Sequence, residues 1–284
     1  MRAKGIFLTI LSALIYGFVP SLCSMTYLMG NNAVTLTFYR GVMILPILFL
    51  LMKKNGINFS CTKDEIIKIG IVAILGSTLT SLLLYGSIRY IGAGSSTTLH
   101  FLYPLFVVLI CHYIYKDILT KRHIVALFIS TIGVILFMDF KDFDKIKGVI
   151  MALVSGFTFS IYLVGIEKFR LSRMNDYKLS FYLALFMSIF VFFYGIITRE
   201  FIFHQPIQAY LLMMVISVLA QLIAVICLKK GIDILGSSLA SMFSMFEPVS
   251  SVFFGVLLLG ETITIVKSIG CILILLGVIS LVKK

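Results

Sequence analysis

Glu247 lies inside a long apolar run, about 11 residues or ~16 Å from the nearer polar flank. Arg40 lies inside another, about seven residues or ~10 Å from its flank. A charge at such depth costs about 2.5–3.5 kcal/mol on insertion scales, so each needs a reason. The carboxyl group can bind a proton or an amine, and the guanidinium can bind a carboxylate. The other reading is architectural: both groups brace helices, Glu247 by capping amides near the Pro248 break. At comparable heights the two could also pair with each other.

Hydroxyl and aromatic residues repeat at helical steps in the neighbouring runs. Ser77, Ser81 and Tyr85 follow one another every four residues, and Ser237, Ser241, Ser244 and Ser251 share a face close to Glu247. Thr97, His100 and Tyr103 mark another run, Ser155, Thr158 and Tyr162 a further one, and Ser12, Tyr16 and Gln221 complete the set. Single serines in membranes commonly serve close packing, whereas stripes beside an acid form a cavity wall. The candidate substrate-binding residues are therefore Tyr16, Arg40, Ser77, Ser81, Tyr85, His100, Tyr103, Thr158, Tyr162, Gln221, Ser241, Ser244 and Glu247. For His100 the expected state is a hydrogen bond to a neighbouring hydroxyl or carbonyl in preference to proton relay.

These residues need elements that cross a bilayer. The chain has 284 residues, 60% apolar and 13% charged, with a mean hydropathy of +1.10. That composition excludes a soluble enzyme, a disordered chain and a disulfide scaffold. Apolar runs at 4–28, 33–52, 66–88, 94–115, 122–138, 148–168, 178–197, 207–228, 236–259 and 264–282 predict ten transmembrane helices joined by short loops. The fold class expected is an all-α membrane protein, and the first run is read as a retained helix, not a secretory signal. The net charge of +12 falls in short clusters such as Lys53-Lys54 and Lys121-Arg122, a topology signal and no nucleic-acid surface. Basic residues concentrate in alternate loops, which places both termini in the cytoplasm.

The two halves echo each other. Lys4-Gly5 matches Lys147-Gly148 and Leu36-Thr37-Phe38-Tyr39 matches Leu179-Ser180-Phe181-Tyr182 at an offset of 143. Gly92, Pro104, Asp117 and Thr120 match Gly236, Pro248, Glu261 and Thr264 at 144. Five helices per half force opposite orientations, giving inverted five-helix repeats over 1–140 and 141–284 with a site near the midplane between them.

Phe38-Tyr39-Arg40, Tyr103-Pro104, Glu247-Pro248 and Gly260-Glu261 make the chain resemble a ten-helix, EamA-type member of the drug/metabolite transporter superfamily. Lys116-Asp117 departs from the Gly-Glu common at that place in the family. The resemblance implies a central cavity lined by helices 1, 3, 4, 6, 8 and 9, with helices 5 and 10 peripheral. It also implies a cell (inner) membrane location and cargo among amino acids, other metabolites, nucleobases or drugs, often moved outward.

The function expected is secondary transport of small metabolites, most readily amino acids, by alternating access, with protons as a candidate coupling ion. The partners are a small-molecule substrate and the lipid bilayer, with oligomeric state open. No phosphate-binding Gly-x-x-x-x-Gly-Lys-Ser/Thr motif occurs, and no cofactor, metal site or catalytic residue is expected. A channel or drug efflux carrier is the alternative. A membrane-embedded enzyme ranks behind both, since Glu247 has no second buried acid and the four histidines are scattered. Asp117 and Glu261 are expected to favour the N-termini of helices 5 and 10.

Overall fold

The computed structural model describes residues 1–136, 145–260 and 264–282. Glu261, Lys141 and the terminal Lys283-Lys284 lie outside these residues. All regular elements among the described residues are helical. Eight stretches are long and apolar enough to cross a membrane. They are α1 (Arg2–Leu28), α2 (Ala33–Lys54), α3 (Lys63–Gly92), α4 (Gly94–Tyr113), α6 (Ile146–Lys168), α7 (Asp176–Thr198), α8 (Ile207–Leu235) and α9 (Ser237–Leu258). Two shorter apolar helices, α5 (Lys121–Ile135) and α10 (Ile265–Val282), pack on each other.

Polar side chains start the helices where loops enter. Asn32 caps α2, Thr62 and Glu65 form a capping box on α3, Thr120 caps α5 and Asn175 caps α7. Thr120 thus does what was expected of Asp117, whose carboxylate instead meets Lys168 at 2.8 Å. Helix α8 runs seven residues beyond its expected end at 228. Lys229 and Lys230 had suggested a loop, yet both reach Asp176 at the start of α7, at 2.5 and 2.8 Å. A buried lysine with its carboxylate is compatible with a continuous helix.

Several spans are interrupted, and the interruptions recur at the repeat spacing. A π-helical segment, Val72–Thr78, lies within α3, and another, Ser217–Ala224, within α8. Gly92 (φ 72°) ends α3 and Gly236 (φ 78°) ends α8, in a backbone region that side chains disfavour. Helix α4 is broken by a turn at Phe101-Leu102 before Tyr103-Pro104, and α9 by a turn at Met245-Phe246 before Glu247-Pro248. Contacts are reciprocal as well. Gly5 of α1 lies against Ile234 and Leu235, and Gly148 of α6 lies against Tyr90 and Ile91.

Helix α1 approaches α9 so closely that a Cβ on Gly17 would come within 2.5 Å of the Glu247 carbonyl oxygen. Gly17→Ala is expected to lower stability by about 1–3 kcal/mol through overpacking against backbone. Gly94→Ala, with nothing within 4 Å, is the control expected to cost nothing. Unfolding of both variants in mixed micelles measures the difference.

Candidate functional site

The break in α9 explains how an acid can sit at membrane depth. Glu247 is the first residue of the second helical piece, where unsatisfied amides and the positive end of the dipole favour a carboxylate. It is 3% exposed, and its Oε1 accepts a hydrogen bond from the Tyr103 hydroxyl at 2.9 Å. Tyr103 opens the second piece of α4 in the same way, and the two residues are 144 apart in the chain. Tyr16 and Phe159, separated by 143 positions, also touch, edge to face at 6.3 Å.

Arg40 comes from α2 and is buried without an acidic partner. Its Nη1 donates to Tyr85 Oη at 2.8 Å and to Ser81 Oγ at 3.3 Å. Its Nη2 donates to Gln221 Oε1 at 3.2 Å, and its Nε has no hydrogen-bond partner. The Arg40–Glu247 ion pair that their heights would permit does not form, because each group is taken up by neutral partners on other helices.

Both charges line a cavity of about 60 Å³, space for a few water molecules. Tyr16, Ser77, Ser81, Tyr85, His100 and Tyr162 line it with them. Tyr103, Thr158 and Gln221 stand just behind the wall, bonded to Glu247, Thr80 and Arg40 respectively. Ser241 and Ser244 are not brought to the cavity. Both are buried behind the wall, with Ser241 donating to the Ser238 carbonyl at 2.9 Å and Ser244 beside Tyr103, the phenol bonded to Glu247.

The wall also contains Val19, Pro20, Thr80, Leu84, Thr97, Phe101 and Phe159. Thr80 stands three residues after Ser77 and next to Ser81, on the helical face they share, and its hydroxyl meets Thr158 Oγ1 at 2.7 Å. Pro20 offered a legible signal, a proline within a span that leaves the Tyr16 carbonyl without its helical donor. Helix α2 takes the place expected for α8 in the lining: Arg40 reaches inward, and Gln221 is spent on Arg40.

His100 matches the expectation of a satisfied core histidine. Its Nδ1 is 3.0 Å from Ser155 Oγ, and that hydroxyl gives its proton to the Ala152 carbonyl at 2.6 Å. Nδ1 is then the donor, and Nε2 is the ring's acceptor. Among the described residues no group of three or more His, Cys, Asp or Glu could hold a metal ion.

Both ends of the bundle are tied across the halves. At one end Asn32 donates to the Glu200 carbonyl at 2.5 Å, and Ile202 N donates to Thr35 Oγ1 at 3.0 Å. At the other end, Lys168 pairs with Asp117 at 2.8 Å, and Cys111 Sγ meets Ser237 Oγ at 3.3 Å.

Membrane-length helices, broken at depth around a small, mainly apolar cavity that carries Arg40 and Glu247, fit a multi-pass membrane transporter. The chain belongs to the EamA-like transporter family, which matches it twice, over residues 3–138 and 146–283. An uncharacterized transporter of Clostridium kluyveri is 23% identical over 224 residues, 76% of this chain and 72% of that protein. The uncharacterized transporter YcbK of Bacillus subtilis is 35% identical over 66 residues, a match spanning 23% of this chain and 21% of YcbK. A solved structure titled only as a crystal structure of a protein superposes with a TM-score of 0.81 at 14% identity, over 99% of this chain and 97% of that one. The family and its named relatives are transporters and not enzymes.

Tyr103→Phe removes the hydrogen-bond donor to a buried carboxyl group and is expected to cost about 1–3 kcal/mol. Ser180→Ala, whose buried Oγ has no hydrogen-bond partner among the described residues, is expected to cost less than the phenol change. Unfolding in mixed micelles ranks the two.

Proposed function

We propose that the protein is a secondary carrier that exports small zwitterionic metabolites, amino acids or close relatives, by alternating access. The two halves, 1–140 and 141–284, act as inverted five-helix repeats in a ten-helix bundle. They rock about the cavity, with both termini on the cytoplasmic side of the cell (inner) membrane. Arg40 receives the substrate carboxylate and Glu247 its amine. A proton on Glu247, alternating with the amine, provides the coupling to a pH gradient.

The observation that carries this reading is the composition of the cavity wall. It has one buried cation with neutral hydrogen-bond partners and one buried carboxyl group held by a phenol. The pair is charge-complementary to a zwitterion. The matching breaks at Pro104 and Pro248, and the matching π-helical segments, support a repeat whose halves exchange shapes. The small cavity and the tied ends favour a carrier over an open channel. The aromatic wall of Tyr16, Tyr85, Phe101, Phe159 and Tyr162 supports a second reading, efflux of a lipophilic drug.

Counterflow in proteoliposomes tests both readings, with labelled amino acids, a nucleoside and tetraphenylphosphonium as probes, with and without an imposed pH gradient. Saturable amino-acid exchange, accelerated by the gradient, is the expected result. Exchange of tetraphenylphosphonium alone would replace the first reading by the second. Glu247→Gln is expected to lower exchange by about tenfold or more in a protein that unfolds like the parent. Unchanged exchange would remove Glu247 from the substrate site.

A further inference from the structure

The chain buries two cations in contrasting ways. Lys229 is buried with a carboxylate supplied by the fold, Asp176 at 2.5 Å. Arg40, 6% exposed, receives only two hydroxyls and an amide, and its Nε receives nothing. A guanidinium has five donors, no acceptor and no way to become neutral in a protein. Leaving it in the bilayer without a counter-charge is costly.

Gln221 occupies the place where a counter-charge would be. Its Oε1 meets Arg40 Nη2 at 3.2 Å, and its Nε2 points the other way, to Met187 Sδ at 3.3 Å. A glutamate there would have the same length and would close an ion pair. The bond also joins α2 of the first half to the π-helical segment of α8 in the second, next to the cavity wall.

We infer that Gln221 is a positioning and specificity-determining residue, a neutral placeholder that holds Arg40 between the halves and yields it to a substrate carboxylate. This inference rests on the carrier reading of the cavity. A carboxylate makes a charge-assisted bond to the guanidinium, about twice as strong as the amide's, and so displaces it. Displacement removes a contact between α2 and α8, so loading the cavity loosens one of the ties between halves. Compounds without an anionic group leave the tie in place and are poor cargo.

Gln221→Glu makes the counter-charge permanent. At pH 7.5 the purified full-length variant is expected to melt above wild type, while exchange of labelled amino acids falls by about tenfold or more. Gln221→Met, which removes the acceptor and adds no charge, is expected to melt below wild type. It should also lower KM for amino acids by about threefold or more, because the carboxylate no longer competes with the amide for Arg40. A Gln221→Glu protein that melts at or below wild type, fails to fold or exchanges amino acids normally overturns the inference. The melting comparison uses no substrate. If wild type exchanges no amino acid, the carrier assignment of cargo fails while the melting order still decides the role of Gln221.

Discussion

Much of this bundle is organised by the requirement to satisfy one guanidinium buried within the membrane-spanning helices. Arg40 draws hydroxyls from α3 and an amide from α8, and so fixes how α2, α3 and α8 face each other. A polar group in the hydrocarbon region is costly unless it finds such partners within the protein. The π-helical segments serve the same requirement. In α3 the segment contains Ser77, which lines the cavity, and in α8 it contains Gln221. Helical irregularity at this depth is tolerated where it lines a cavity or meets another helix.

The proline breaks complement this arrangement. Each turn before Tyr103-Pro104 and Glu247-Pro248 starts a fresh helix within the membrane, and each fresh N-terminus carries partial positive charge. The acid is therefore placed where the backbone favours it, and the phenol opposite supplies a proton donor. Helices α5 and α10 contribute nothing to the cavity wall. They pack on each other through Gly133 and Gly277, outside the cavity-lining helices.

Hydropathy made the spans legible because a lipid-facing helix must be apolar over most of its surface. The depth of Glu247 and Arg40 made them legible as site residues, and the glycines and prolines recurring near 144 residues exposed the internal likeness. Other features were hidden for physical reasons. Lys229 looked like the start of a loop, since its partner Asp176 is 53 residues away and no local pattern announces the pair. Thr80 stands beside the four-residue series Ser77–Ser81–Tyr85, where an i, i+3 neighbour shares the face although a strict step of four passes over it. The serine stripe of α9 reaches the cavity only indirectly: Ser241 and Ser244 do not line it, and Ser244 lies beside Tyr103, the phenol bonded to Glu247.

The contact between Tyr103 and Glu247 has a consequence for how such a chain can arise. The two residues hold corresponding places in the two halves, and they touch. Two separate copies of one half would have to put the same residue at both places. A pair of glutamates would set two carboxyl groups side by side in hydrocarbon, where like charges cannot both ionise, and a pair of tyrosines would have no acid at all. Joining the halves in one polypeptide removes that restriction. It permits an acid with a dissimilar neighbour at corresponding places of two similar halves, an inequality that two identical copies could not carry.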